Sequence, residues 1–127
     1  MIVELVSVGT ELLLGNIVNT NTQYLAEQCA LLGLSLYHQS VVGDNHDRMA
    51  EVVKTALGRS DVVILTGGLG PTEDDLTKEV CAEVMGYKLV EDPHTREHLE
   101  QFFKNNIYKE IPDNNWKQAM VPEGALV

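Results

Sequence analysis

Apolar residues along this chain fall into short β-branched runs that alternate with stretches of helical spacing. Ile2 to Val8 is apolar and β-branched and closes on Gly9, which predicts a first strand. From Asn19 to Leu32 the apolar positions Leu25, Cys29 and Leu32 recur at helical spacing, and Gly33 is a natural stop. Leu34 to Val42 predicts a second strand, ended by Gly43. Met49, Val52, Val53, Ala56 and Leu57 follow the i, i+3, i+4, i+7, i+8 pattern of an amphipathic helix. Asp61 to Thr66 carries the unbroken run Val62-Val63-Ile64-Leu65, the pattern of a strand buried on both faces in the middle of a parallel sheet. A third helix is predicted over Lys78 to Met85, with Val80, Cys81 and Val84 inward and Thr77 as its N-cap. Pro93 to about Asn105 predicts a fourth, with Leu99, Phe102 and Phe103 inward. Ile111 to Trp116 reads as loop, and Met120 to Val127 as the beginning of another strand.

Strand and helix in regular alternation predict right-handed crossovers and an α/β fold with a mostly parallel, doubly wound sheet. Ligands in such sheets bind outside the carboxyl ends of the strands. Three loops are thereby selected: Gly9 to Thr20, Gly43 to Asp47, and Thr66 to Thr77. There is no internal repeat and no low-complexity segment, and 127 residues suit one domain.

Composition narrows the partners. Hydrophobic residues make up 44 % and charged residues 22 %, the mix of a globular core rather than a disordered tail. The net charge of −10 leaves no surplus of Lys and Arg to neutralise phosphates along a strand, so nucleic acid is an unfavourable partner. No apolar run approaches the length of a membrane span. No secretory signal opens the chain, so a reducing, cytoplasmic setting is expected. Cys29 and Cys81 lie on apolar helix sides without a CxxC pair and read as buried small hydrophobes.

The third loop carries the most chemistry. Thr66-Gly67-Gly68-Leu69-Gly70-Pro71-Thr72-Glu73-Asp74-Asp75-Leu76-Thr77 leaves a strand, places three glycines in four positions and feeds a helix N-terminus. Exposed amides there favour an anion such as phosphate, although a tight strand-to-helix turn needs the same glycines. It is neither a Walker loop nor the spaced dinucleotide fingerprint. Three successive acids repel one another unless some hold a cation or cap the helix. In the first loop, Glu11 is the only charge, and Asn19 and Asn21 are helix caps or ligand contacts. In the second, Asn45 or Asp47 is the expected cap. Asp44 leaves its strand at the same edge as Asp75, where two carboxylates can share a divalent metal or divide acid and base roles. His94 and His98, four apart, lack a third ligand and read as a surface pair. Trp116 is open between a rim anchor and a ligand contact.

Five co-ordered motifs, Gly9 to Gly15, Asn19 to Asn21, Val41 to Asn45, Thr66 to Thr77 and Asn114 to Ala119, strongly resemble the N-terminal domains of the competence/damage-inducible CinA family, part of the wider molybdopterin-binding family. The resemblance runs from residue 1 to residue 127. It implies a three-layer α/β sandwich with its site on the same three loops. Thr66-Gly67-Gly68-Leu69-Gly70 departs from the usual TGGTG of the molybdopterin enzymes and favours the CinA branch. By this resemblance Asp44 and Asp75 match the catalytic positions. Substrate or phosphate contacts fall to Thr10, Asn19, Asn21, Gly67, Gly68, Gly70, Pro71 and Thr72. Glu11, Asp74 and Asp75 would hold Mg²⁺ or a similar divalent metal. The implied activity is metal-dependent hydrolysis of ADP-ribose-type pyrophosphate. The alternatives are a non-catalytic nucleotide- or pterin-binding module and, ranked below both, adenylyl transfer to molybdopterin. The expected partners are a small-molecule nucleotide or pterin and a second copy of the chain. Family domains continue past the position of Val127 into an Asn-Pro-x-Gly-Thr-x-Pro-Gly stretch. Residues 1–127 are therefore expected to be a single domain shortened at its carboxyl end, without the family's deamidase domain.

Overall fold

The computed structural model describes residues 1–106 and 110–127. The chain runs from β1 (Ile2–Val8) through a short helix α1 (Thr10–Leu13) and α2 (Thr20–Leu31) to β2 (Ser35–Val42). It continues through α3 (His46–Arg59) to β3 (Val62–Thr66) and α4 (Thr77–Met85). The three strands are parallel, in the order β2-β1-β3. Local caps set the helix starts: the Asn19 Oδ1 accepts from the Thr22 amide at 3.2 Å, and the Asn45 Oδ1 from the Arg48 amide at 3.1 Å.

Alternation along β1 builds two cores. Val3 and Leu5 pack with Cys29 of α2, while Val6 and Val8 pack with Val42, with Met49, Val53 and Ala56 of α3, and with Val80 of α4. Each fully buried Val, Leu or Met contributes roughly 1.5–3 kcal/mol. The result is the expected three-layer α/β sandwich. The middle strand is β1, however, and not the Val62 to Leu65 run. β3 lies at an edge among the described residues, with Val62 exposed and the rest half-buried. The polar positions of β1 disguise it, because each is satisfied inside. Glu4 is 1 % exposed and bonds Arg59 and Ser60. The Ser7 hydroxyl lies 2.7 Å from that of Thr22 and accepts from the Asn19 Nδ2 at 2.9 Å.

The rest of the chain forms a smaller unit. β4 (Leu89–Glu91) pairs antiparallel with β5 (Met120–Pro122), and α5 (Pro93–Asn105), capped by Asp92, packs on a 3-10 helix, Asp113–Ala119. Several expectations are corrected here. The 3-10 helix replaces most of the expected loop. The last strand stops at Pro122 and joins a separate antiparallel pair. Thr77 is the first residue of α4 rather than its cap; Leu76 holds that position, and the Thr77 hydroxyl donates to the Gly67 carbonyl at 2.7 Å. Leu32, at the C-cap of α2, and Leu57 and Phe102 are exposed, the buried side of α3 being Met49, Val53 and Ala56. Both cysteines are free; Cys29 is buried and Cys81 half-buried, and burial pushes the Cys81 thiol up.

Candidate functional site

The carboxyl ends of β1 and β3 open onto a cavity of about 180 Å³. Its wall is Val8, Glu11, Leu12, Ile17, Val18, Asn19, Thr20, Asn21, Thr66 and Gly67. Sequence and fold meet here for a simple reason. The first turn of α2 has amides without intrahelical acceptors. Asn19 takes that of Thr22, and the Val18 carbonyl takes that of Thr20 at 3.0 Å, which leaves Asn21 as a first-turn donor on the cavity wall. The positive end of the helix dipole adds to it. Of the candidate residues, the fold brings Glu11, Asn19, Asn21 and Gly67 together on this wall.

Four of the remaining candidates form two carboxylate–threonine pairs. The Asp44 Oδ2 accepts from the Thr10 amide at 3.2 Å and from its hydroxyl at 3.0 Å, and the Asp44 amide lies 3.1 Å from the same hydroxyl. This pair locks α1 onto the end of β2. The Asp75 Oδ2 accepts from the Thr72 amide at 3.0 Å and from the Thr72 hydroxyl at 2.6 Å. A β-carbon on Gly70 would sit 2.6 Å from that oxygen, so the loop closes around its own carboxylate. The Thr72 hydroxyl above all, then the Thr72 and Gly70 amides and the Lys117 charge, hold the Asp75 carboxyl below its ordinary value against the opposing effect of burial. Such a group is suited to orienting a loop and poorly suited to abstracting a proton near neutral pH.

Gly67 and Gly68 have a packing reason for being glycine. Both are left-handed, at φ 87° and 63°. A β-carbon on Gly67 would strike the Val8 carbonyl oxygen, and one on Gly68 the Thr77 hydroxyl. Pro71 and Asp74 lie on the same loop, off the cavity wall. Among the described residues no three of His, Cys, Asp and Glu are grouped to hold a metal, so Glu11, Asp74 and Asp75 do not form a ready-made cage. A hard cation here would draw most of its ligands from substrate phosphate and water, as Mg²⁺ commonly does, with Glu11 as the carboxylate on the cavity wall.

Three further features escaped the sequence reading. Leu12, Ile17 and Val18 supply an apolar side to the cavity; the Leu12-Leu13-Leu14 run inside a loop was the available signal. Lys117 reaches the Gly-rich loop from the 3-10 helix and donates to the carbonyls of Thr72, at 2.8 Å, and Asp75. His46, beside Asp44, bonds the Asp47 carboxylate at 3.0 Å and that of Glu83 on α4 at 2.7 Å; Asp47 first, then Glu83, raise its pKa. Trp116 lies under Arg96, whose guanidinium carbon is 4.4 Å from the ring centroid, and so ties the 3-10 helix to α5.

Residues 4–125 match the protein family described as "Probable molybdopterin binding domain". The competence-damage inducible protein named for Symbiobacterium thermophilum is 56 % identical over 127 residues, and that of Clostridium acetobutylicum 51 % over 127. Each alignment covers 100 % of this chain but only 30 % and 31 % of those proteins, so the chain spans about three tenths of their length. Among solved structures, the protein CinA with unknown function from Thermoplasma acidophilum superposes with a TM-score of 0.88 at 29 % identity, over 97 % of this chain and 71 % of that one. The molybdopterin biosynthesis enzyme MoaB from Thermus thermophilus shares the fold, with a TM-score of 0.62 at 17 % identity over 95 % and 78 %. The glycine loop, the two carboxylate–threonine pairs and the cavity at the strand ends thus stand in a chain that belongs to the molybdopterin-binding domain family and is similar to part of the competence-damage inducible proteins.

Proposed function

We propose that this domain binds a nucleoside diphosphate compound of the ADP-ribose type at the carboxyl edge of the sheet and hydrolyses its pyrophosphate. The observation that supports it most is the cavity in which Glu11, the first turn of α2 and Gly67 meet. The Asn21 amide and the α2 dipole receive a phosphate oxygen there. Leu12, Ile17 and Val18 give an apolar surface for the base or ribose face. Glu11 would hold a divalent ion such as Mg²⁺ arriving with the diphosphate, which would supply Lewis-acid polarisation of a phosphoryl oxygen. Asp44 has its Oδ2 held by Thr10, which leaves Oδ1 to orient water. Asp75 keeps the Gly-rich loop in shape.

A second reading, a nucleotide- or pterin-binding module without turnover, is favoured by one observation. Both Asp44 and Asp75 are already engaged by threonines rather than poised as free bases. Incubating the domain with ADP-ribose and Mg²⁺ or Mn²⁺, and following AMP by chromatography, separates the two readings. The proposal expects AMP in the presence of metal and none with EDTA. ADP-ribose that binds but is recovered intact under every metal condition would leave the binding module standing and remove the hydrolase.

A further inference from the structure

We propose that the Lys117 ammonium is the resident cation of the Gly-rich loop and a positioning residue for the ligand site. Only its consequence for ligand binding rests on the function proposed above. Three oxygens from two elements converge on the Lys117 Nζ. The carbonyls of Thr72 and Asp75 both accept from it, and the Glu79 Oε1 lies 3.4 Å away. An ammonium has three N–H donors and no acceptor; two of them go to the loop carbonyls, and the Glu79 carboxylate stands within ion-pair distance of the charge. The loop carbonyls are thereby gathered around a point charge, as they would be around a small monovalent ion.

The grip is reciprocal. Lys78, on the helix that the loop feeds, donates back to the Lys117 carbonyl at 3.2 Å and to the Gln118 carbonyl at 2.9 Å. Each lysine therefore fixes the backbone that carries or adjoins the other. Lys117 stands 45 residues from Thr72, so a segment remote in sequence sets the shape of the loop. Charge gives the arrangement its purpose. Glu73, Asp74 and Asp75 stand in succession in a chain of net charge −10, and an unbalanced run of this kind opposes a compact turn. Glu79 supplies a second observation. Its Oε2 is buried with no hydrogen-bond partner, a cost the protein bears while the other oxygen stays beside Lys117. A carboxylate held there half unsatisfied is explained as the counter-charge that keeps the ammonium in place.

Losing the charge should act locally. Lys117→Met keeps most of the apolar stem and removes the ammonium. Amide hydrogen exchange at Thr72, Asp75 and Thr77, whose N–H groups donate within the loop, should quicken about tenfold or more. Exchange in β1 should be unchanged. In Lys117→Ala, methylammonium chloride should restore the slow exchange, and sodium chloride at equal ionic strength should not. Exchange in the loop that stays slow in Lys117→Met, that quickens equally in β1, or that methylammonium leaves unrestored, overturns the proposal. The functional arm is separate: Lys117→Met should bind ADP-ribose at least about tenfold more weakly than wild type. If wild type itself does not bind ADP-ribose, the proposed function fails while the exchange result still decides the role of Lys117.

Discussion

Replacing Asp75 with Asn separates a structural carboxylate from a chemical one, because the two roles differ in size. Asn keeps an oxygen where the Asp75 Oδ2 now accepts from the Thr72 amide at 3.0 Å and hydroxyl at 2.6 Å. What it loses is charge. Hydrogen bonds to a charged acceptor contribute about 1.5–3 kcal/mol each and neutral ones about 0.5–1.5 kcal/mol. Both bonds here lie at the solvent-exposed surface, so screening reduces the difference to about 1 kcal/mol in all. For a domain of this size that lowers Tm by about 3–5 °C. Removing a carboxylate from the chemical step costs at least about 100-fold in rate, or about 2.7 kcal/mol. Thermal melting and ADP-ribose turnover of Asp75→Asn therefore give distinct answers. The geometry predicts a Tm drop of a few degrees and a turnover loss below about tenfold, with Asp75 acting through the loop. A loss of 100-fold or more at nearly unchanged Tm would refute the orienting role and restore Asp75 to the reaction. Wild-type values for both would remove it from either.

Other perturbations follow from the same geometry. Gly67→Ala and Gly68→Val should each lower stability by about 2–4 kcal/mol in denaturant melts, since the added carbons meet the Val8 carbonyl and the Thr77 hydroxyl at left-handed φ; a wild-type midpoint would contradict the packing role. Glu4→Gln should cost about 2–3 kcal/mol, less than a fully buried pair because Arg59 is half-exposed. The Arg59 hydrogen bonds, followed by that of Ser60, hold the Glu4 carboxyl below its ordinary value, so its contribution is present above about pH 4.5 and lost as pH falls through the lowered value. Acid unfolding curves should accordingly lose part of their slope in Glu4→Gln, and an unchanged curve would count against the pair. The His46 ring is raised in pKa by Asp47 and then Glu83, so its tie to α4 is full below about pH 6.5 and lost as pH rises through the raised value. NMR titration should place His46 above the ordinary histidine value, and a value at or below it would break that assignment.

Features governed by neighbours in the chain were legible before any coordinates. Asn19 and Asn45 cap helices through residues three positions on, and the α3 periodicity of Met49, Val53 and Ala56 is the buried face of a helix. Topology followed from the same local reading, because alternating strands and helices admit few connections. What misled was the equation of apolar with central. β1 is the middle strand although Glu4 and Ser7 interrupt it, since Arg59, Ser60, Thr22 and Asn19 satisfy those groups from other elements. At the candidate site, Glu11, Asn21, Asp44 and Asp75 were legible by residue type, and the fold places them in the segments that follow the carboxyl ends of the strands. Their partners did not announce themselves. Thr10 meets Asp44 across 34 positions and Lys117 meets Thr72 across 45, distances at which spacing carries no information. The glycines were legible as a turn, while their contacts with Val8 and Thr77 required the folded chain.

Calorimetric titration of ADP-ribose tests the central claim most directly, with wild type and Glu11→Gln each measured in Mg²⁺ and in EDTA, at low and at high salt. The acidic surface repels a dianionic ligand, and the α2 terminus offers only about half a positive charge, so the proposed function calls for a divalent ion held by Glu11 and the diphosphate to supply the remainder. Binding should be present in Mg²⁺, fall at least about tenfold in EDTA, and fall comparably in Glu11→Gln even with Mg²⁺. Equal affinity under all four protein and metal conditions, tightening only as salt screens the repulsion, would contradict the assignment of the cavity as a cation-assisted diphosphate site.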